Sequence, residues 1–105
     1  MIDIYESAVD HQGRYGAVFE RDDETAFFYL LDLARDKINQ IVEAFNAHSV
    51  SAMPSDVSID LQWNAKGEAV GLRINGDLIA VFDLMSKGKK GRWASNEDES
   101  LFVLH

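Results

Sequence analysis

Asp56-Val57-Ser58-Ile59-Asp60-Leu61-Gln62-Trp63 alternates without a break, with every odd position apolar and every even position polar. Successive side chains of a strand point to opposite faces, so this stretch reads as a strand with one buried and one wet face. Asn64-Ala65-Lys66-Gly67 supplies turn residues after it, and Gly67 can take the positive φ that closes a short hairpin. Val70 to Ile74 is then the return strand. Asn75-Gly76 predicts a type I′ turn, because both residues tolerate positive φ, and leads into Leu78-Ile79-Ala80-Val81-Phe82-Asp83-Leu84. Three consecutive strands of this kind make an antiparallel meander. The unbroken apolar run at 78–82 predicts a central strand covered on both faces.

Working toward the amino terminus, residues 14–20 and 25–31 are rich in aromatic and aliphatic side chains and flank the polar run Arg21-Asp22-Asp23-Glu24. That pattern predicts a second hairpin. Between the hairpin and the meander, Ile38, Ile41, Val42 and Phe45 recur at i, i+3, i+4 and i+7, with Asp32 or Asp36 placed as an N-cap. This spacing predicts an amphipathic helix from Leu33 to Ala47 that docks its apolar stripe on the sheet. Val50 to Ser55, which holds the sole proline, Pro54, reads as the connection out of that helix. Toward the carboxyl terminus, Ser86 to Arg92 and Ser95 to Ser100 read as exposed polar segments, and Leu101 to Leu104 as a terminal edge strand. The expected fold is α+β: an antiparallel sheet of about five strands with one amphipathic helix on one face, in the order ββαβββ.

The chain has 105 residues, a length that suits one domain and is short for two separate cores. Its hydrophobic fraction of 47%, with six Phe, three Tyr and two Trp, is enough to form a packed core. Cysteine is absent, which rules out disulfides, thiolate metal sites and a cysteine nucleophile, and suits a cytoplasmic setting. Met1-Ile2-Asp3-Ile4-Tyr5-Glu6 is acidic where a secretory signal would be basic, and the longest apolar stretch, Ala26 to Leu31, is too short to span a bilayer. A soluble protein without a membrane partner is expected. A net charge of −8 opposes generic nucleic-acid binding.

Ala17 to Asp32 reads Ala-Val-Phe-Glu-Arg-Asp-Asp-Glu-Thr-Ala-Phe-Phe-Tyr-Leu-Leu-Asp, an acidic turn followed by an aromatic strand. In this feature the chain resembles a family of small bacterial proteins catalogued as a domain of unknown function. The resemblance continues through the following apolar segment, Trp63 and Ala80-Val81-Phe82-Asp83. It implies a bacterial source and an autonomous domain, and it brings no activity with it.

Several residue groups are candidates for function. Glu20, Asp22, Asp23 and Glu24 cluster in sequence, yet lack the spaced series of a calcium loop, so their use is expected to be contact with a basic protein partner. Lys87, Lys89, Lys90 and Arg92 hold four of the ten basic residues and form a candidate anion-binding loop beside Trp93. The glycine and Ser/Thr positions of a P-loop are missing from it. Tyr29, Trp63 and Asp83 are candidates to line a ligand pocket between helix and sheet. Arg73 and Asp60 fall on neighbouring strands and are expected to pair. His11, His48 and His105 share no ligand spacing, so no metal or other cofactor is expected. No nucleophile elbow, dinucleotide fingerprint or zinc-protease motif occurs, and no catalytic residue is assigned. The leading expectation is a non-catalytic protein-binding module, immunity-like or regulatory. A ligand-binding domain or minor enzyme, and a structural homodimer, are the alternatives.

Overall fold

The computed structural model describes residues 4–49, 53–54 and 56–103. Its strands are β1 (Ile4–Val9), β2 (Tyr15–Arg21), β3 (Ala26–Asp32), β4 (Ile41–Asn46), β5 (Ile59–Trp63), β6 (Ala69–Ile74), β7 (Asp77–Asp83) and β8 (Gly91–Trp93). They form two four-stranded sheets, β1-β2-β3-β4 and β5-β6-β7-β8, each an antiparallel meander in chain order. The fold is therefore a β-sandwich, and the expected α+β arrangement of one five-stranded sheet with a packed helix is overturned.

Side-chain alternation assembles the core between the layers. From the first sheet Ala17, Phe19, Phe28 and Leu30 point inward; from the second, Ile59, Val70, Leu72, Ile74, Ala80 and Phe82. The Phe28 and Phe82 rings meet across the sandwich with centroids 4.6 Å apart. Burying each large side chain of this set is worth about 1.5–3 kcal/mol. The sheet edges close on each other at both sides, which shields their unpaired backbone groups. On one side Trp63 Nε1 donates to the carbonyl of Ala8 at 3.0 Å, joining β5 to β1. On the other, Phe45 of β4 meets Trp93 of β8 edge to face at 4.9 Å.

The segment expected to be a helix is a loop, one 3-10 turn (Lys37–Asn39) and β4. Asp36 does cap, accepting from Asn39 N at 3.1 Å, but the turn it caps ends at once. Ile38 is 93% exposed and contributes nothing to the core. The β-branched Ile41 and Val42 suit a strand, and β4 gives β3 the backbone partners it would otherwise lack. A bulge between Leu30 and Leu31 in the β3–β4 pairing shifts the register within this segment. Asp32, the other expected cap, is buried and accepts from Arg14 Nε at 2.9 Å and Ala34 N at 3.1 Å.

All three sequence-read turns form, Gly67 taking a φ of 70° in the one after β5. Asn75 and Gly76 take φ of 52° and 87°, as a type I′ turn requires. At the β2–β3 turn the Asp22 carboxylate accepts from Glu24 N at 2.8 Å and Thr25 N at 2.7 Å. Of the proposed connection at 50–55, only Met53 and Pro54 are among the described residues; buried Arg21 donates to the Met53 carbonyl at 2.7 Å and ties this crossing to β2.

A 3-10 segment, Asn96–Phe102, lies on the outer face of the second sheet. Leu101 and Phe102 belong to it, so no edge strand starts there, and Leu104 lies outside the described residues. Phe102 sits over Gly71, where a Cβ would come within 2.9 Å of its ring. Two ion pairs hold the segment: Arg73 to Glu99 at 2.8 Å and Arg92 to Asp98 at 2.6 Å. Asp98 is buried, which corrects the expectation of an exposed run at 95–100. Val81, on the outer side of β7, is fully buried, and this segment packs on that strand in place of the expected helix.

Candidate functional site: the outer face of the first sheet

Among the described residues the first sheet has no such cover. Because Ala17, Phe19, Phe28 and Leu30 point into the core, the alternate residues Val18, Glu20, Phe27, Tyr29 and Leu31 point out. Antiparallel register extends this face over both neighbours: Tyr5 lies opposite Glu20, Val18 opposite Tyr29, and Ile41 opposite Leu31. Tyr5 and Ile41 are more than half exposed. The result is a mainly apolar surface that continues from the aromatic pair Phe27 and Tyr29, whose rings stack 5.8 Å apart at 13°.

Near the centre of this face is a hollow of about 230 Å³ lined by Tyr5, Val18, Glu20, Tyr29, Leu31 and Ile41. Glu20 supplies its charge and takes part in no described ion pair. Burial, with Glu20 adding a smaller effect, pushes the Tyr29 hydroxyl above the usual phenol range. Tyr29 is thus a protonated hydrogen-bond donor at neutral pH. The acidic turn stands at the end of the same β2–β3 hairpin. Its Asp22 is engaged in holding the turn, and the backbone N–H groups of Glu24 and Thr25 keep its carboxyl below the usual range. Asp23 and Glu24 are exposed.

Other expected groupings do not assemble. Tyr29 is on this outer face, Trp63 is at the β1–β5 seam, and Asp83 closes β7 by accepting from Met85 N at 3.0 Å, so the three line no common pocket. With the helix gone, the pocket between helix and sheet goes too. Arg92 of the candidate anion loop is taken by Asp98, leaving Lys87, Lys89 and Lys90 on a loop where Gly88 and Lys89 both have positive φ. Asp60 and Arg73 are register partners, yet the guanidinium turns to Gln62 at 2.7 Å and to Glu99. A broader depression of about 690 Å³ runs along the β1–β5 seam past His11, Asp60, Trp63 and Arg73. His48 lies elsewhere, on the loop after β4, and His105 is outside the described residues. Among the described residues no three acids or histidines gather as metal ligands, and no helix is long and apolar enough to cross a membrane.

Tyr5, Val18, Leu31 and Ile41 had no functional reading in the sequence. Their signal was present in β2 and β3, where apolar residues occupy both parities, a pattern that demands either a cover or a contact for the second face.

Residues 3–100 match a family model described as an uncharacterised protein conserved in bacteria (DUF2251). The chain belongs to this family. A DUF2251 membership agrees with the resemblance seen at Ala17 to Asp32. The chain is also 32% identical over 71 residues to an uncharacterised protein of Haemophilus influenzae, covering 66% of this chain and 44% of that relative. The match thus spans less than half the length of this relative of the DUF2251 protein. No solved structure matches it.

Proposed function

We propose that this protein is a non-catalytic protein-binding module that receives a basic partner on the outer face of its first sheet. The observation that carries the reading is the asymmetry between the two sheets. The second sheet has its outer face covered by Asn96–Phe102, whereas the first leaves Tyr5 and Ile41 open to water beside the half-buried Phe27–Tyr29 pair. Contiguous exposed apolar surface of this kind is characteristic of interaction sites. The charge selects the partner. Glu20 lies within the face, Asp23 and Glu24 stand at its end, none of the outward positions named above is basic, and the chain carries −8. A cationic protein would be steered to this face, while a second copy would bring Glu20 toward its own like.

The test is retention on immobilised protein from lysate of the encoding bacterium at low and high salt. Three variants run beside the native protein: Tyr5→Ala with Ile41→Ala, Asp23→Asn with Glu24→Gln, and Lys89→Ala with Lys90→Ala. One basic protein held at low salt by the native chain and the lysine variant, and lost by the other two, is the expected result. Equal retention by all variants, insensitivity to salt, or no retained protein contradicts the reading.

A further inference from the structure

We propose that the hollow bounded by Tyr5, Val18, Glu20, Tyr29, Leu31 and Ile41 is a recognition site for a single organic cation, the guanidinium or ammonium head of an arginine or lysine side chain. The inference rests on the protein-binding reading above and specifies the chemistry at its centre.

Glu20 is half-buried among apolar neighbours. A cation or hydrogen-bond donor that meets a carboxylate between apolar walls gains more than it would in open water. Elsewhere this chain supplies the cation itself: Arg14 reaches Asp32 at 2.9 Å and Arg92 reaches Asp98 at 2.6 Å. Glu20 takes part in no described ion pair, and Tyr5 and Phe27, its register partners on the two adjacent strands, bring none. Among the described residues none meets it, which leaves the place to a partner's cation.

The walls suit an organic cation better than a metal ion. Tyr5 stands across one strand from Glu20, and Tyr29 lies diagonally across the other, with the Phe27 ring stacked beside it. Aromatic faces attract ammonium and guanidinium groups through their quadrupole. Val18, Leu31 and Ile41 offer apolar surface to the methylene stem that such a side chain carries. A hard metal ion would need several oxygen ligands, and the hollow has one carboxylate. Size points the same way, since about 230 Å³ is below the range of about 300–1,000 Å³ common for small-molecule and cofactor sites. It has room for one side chain.

The experiment follows amide shifts of the isotope-labelled full chain during titration with blocked tripeptides whose central residue is arginine, lysine or norleucine. The arginine and lysine peptides should give saturable shifts on the outer positions of β1 to β4, with norleucine giving none. Glu20→Gln should weaken binding by about tenfold, while Glu97→Gln, an exposed acid on the other side of the sandwich, leaves it within about twofold. A response to norleucine equal to that of arginine, or one unchanged in Glu20→Gln, overturns the proposal. Free butylguanidinium runs as a further arm: binding as tight as the arginine peptide assigns the hollow to free cations, and weaker binding assigns it to a protein side chain. The two readings fail separately. If Glu20→Gln keeps full affinity for a retained partner that Tyr5→Ala with Ile41→Ala loses, the cation site falls and the binding face stands.

Discussion

The Arg73 guanidinium grips the Glu99 carboxylate with two hydrogen bonds, 2.9 Å from Nη1 to Oε2 and 2.8 Å from Nη2 to Oε1. The same guanidinium lies 5.7 Å from the centre of the Phe102 ring and donates to Gln62. One side chain on β6 thus holds both ends of a turn of 3-10 helix against the second sheet. With that outer face covered, the open sheet face, where Tyr5 and Ile41 are exposed, is that of the first sheet.

Removing the Phe102 ring should loosen this cover and leave the sandwich folded. Phe102→Ala is expected to cost about 2 kcal/mol, less than a fully buried phenylalanine because the ring is half-exposed. Hydrogen exchange should rise at 96–102 and stay unchanged in β2 and β3. Uniform acceleration across both sheets would contradict the separation of the two faces.

Gly91 and Gly71 should respond differently to alanine. At Gly91 a Cβ would lie 2.8 Å from Phe45 Cβ and 2.8 Å from Phe82 Cε1, at the point where β4 meets β8. At Gly71 the obstacles are the outer ends of Leu78 and Phe102, at 2.5 and 2.9 Å. Side-chain tips can move aside, but a Cβ fixed to the backbone cannot. Chemical denaturation should show Gly91→Ala losing about 3 kcal/mol, the upper end for overpacking. Gly71→Ala should lose less, and part of its cost should vanish in a Phe102→Ala background, the contact with Leu78 remaining. Equal losses, or no coupling to Phe102, would count against these contacts.

The meander was legible because its information is local: alternation over 56–63 and turn residues at 64–67 and 75–76 specify strands and hairpins without reference to the rest of the chain. Residues 38–45 misled because a helix and a bulged edge strand can share the same apolar spacing over so short a span. Their choice was made by the open edge of β3, a tertiary fact absent from the segment itself. At the site, Glu20 and Tyr29 were both singled out, for separate purposes. Their adjacency follows from the β2–β3 register, in which Glu20 pairs with Phe27 and Val18 with Tyr29. Tyr5 and Ile41 join only when β1 and β4 add on either side. The acidic segment 95–100 looked solvated because nothing local announces that Asp98 meets Arg92 across a turn.

Acid should destabilise the fold through carboxylates bonded to arginines or to backbone N–H groups. Hydrogen bonds from Arg14 outweigh burial and hold Asp32 below the usual carboxylate range, and those from Arg73 do the same for Glu99. Burial pulls Asp98 upward, but the Ser95 N–H and Arg92 together outweigh it, leaving this carboxyl low as well. A carboxyl lowered on folding contributes its stability fully above its unfolded pKa, about 4, and loses it as pH falls through the folded value. The melting temperature should therefore be steady above about pH 5 and fall below about pH 4. Asp98→Asn should melt lower at neutral pH and show a shallower acid slope. An unchanged slope would remove Asp98 from the account.

The most direct test of the binding face is a hydrogen-exchange footprint of the full chain, alone and with the protein retained in the low-salt capture. Protection is expected on β1, β3, β4 and the turn at Asp22 to Glu24, with none at 96–102 or on the lysine loop at 86–90. Protection centred on the second sheet or that loop, with the first sheet unchanged, would contradict the account.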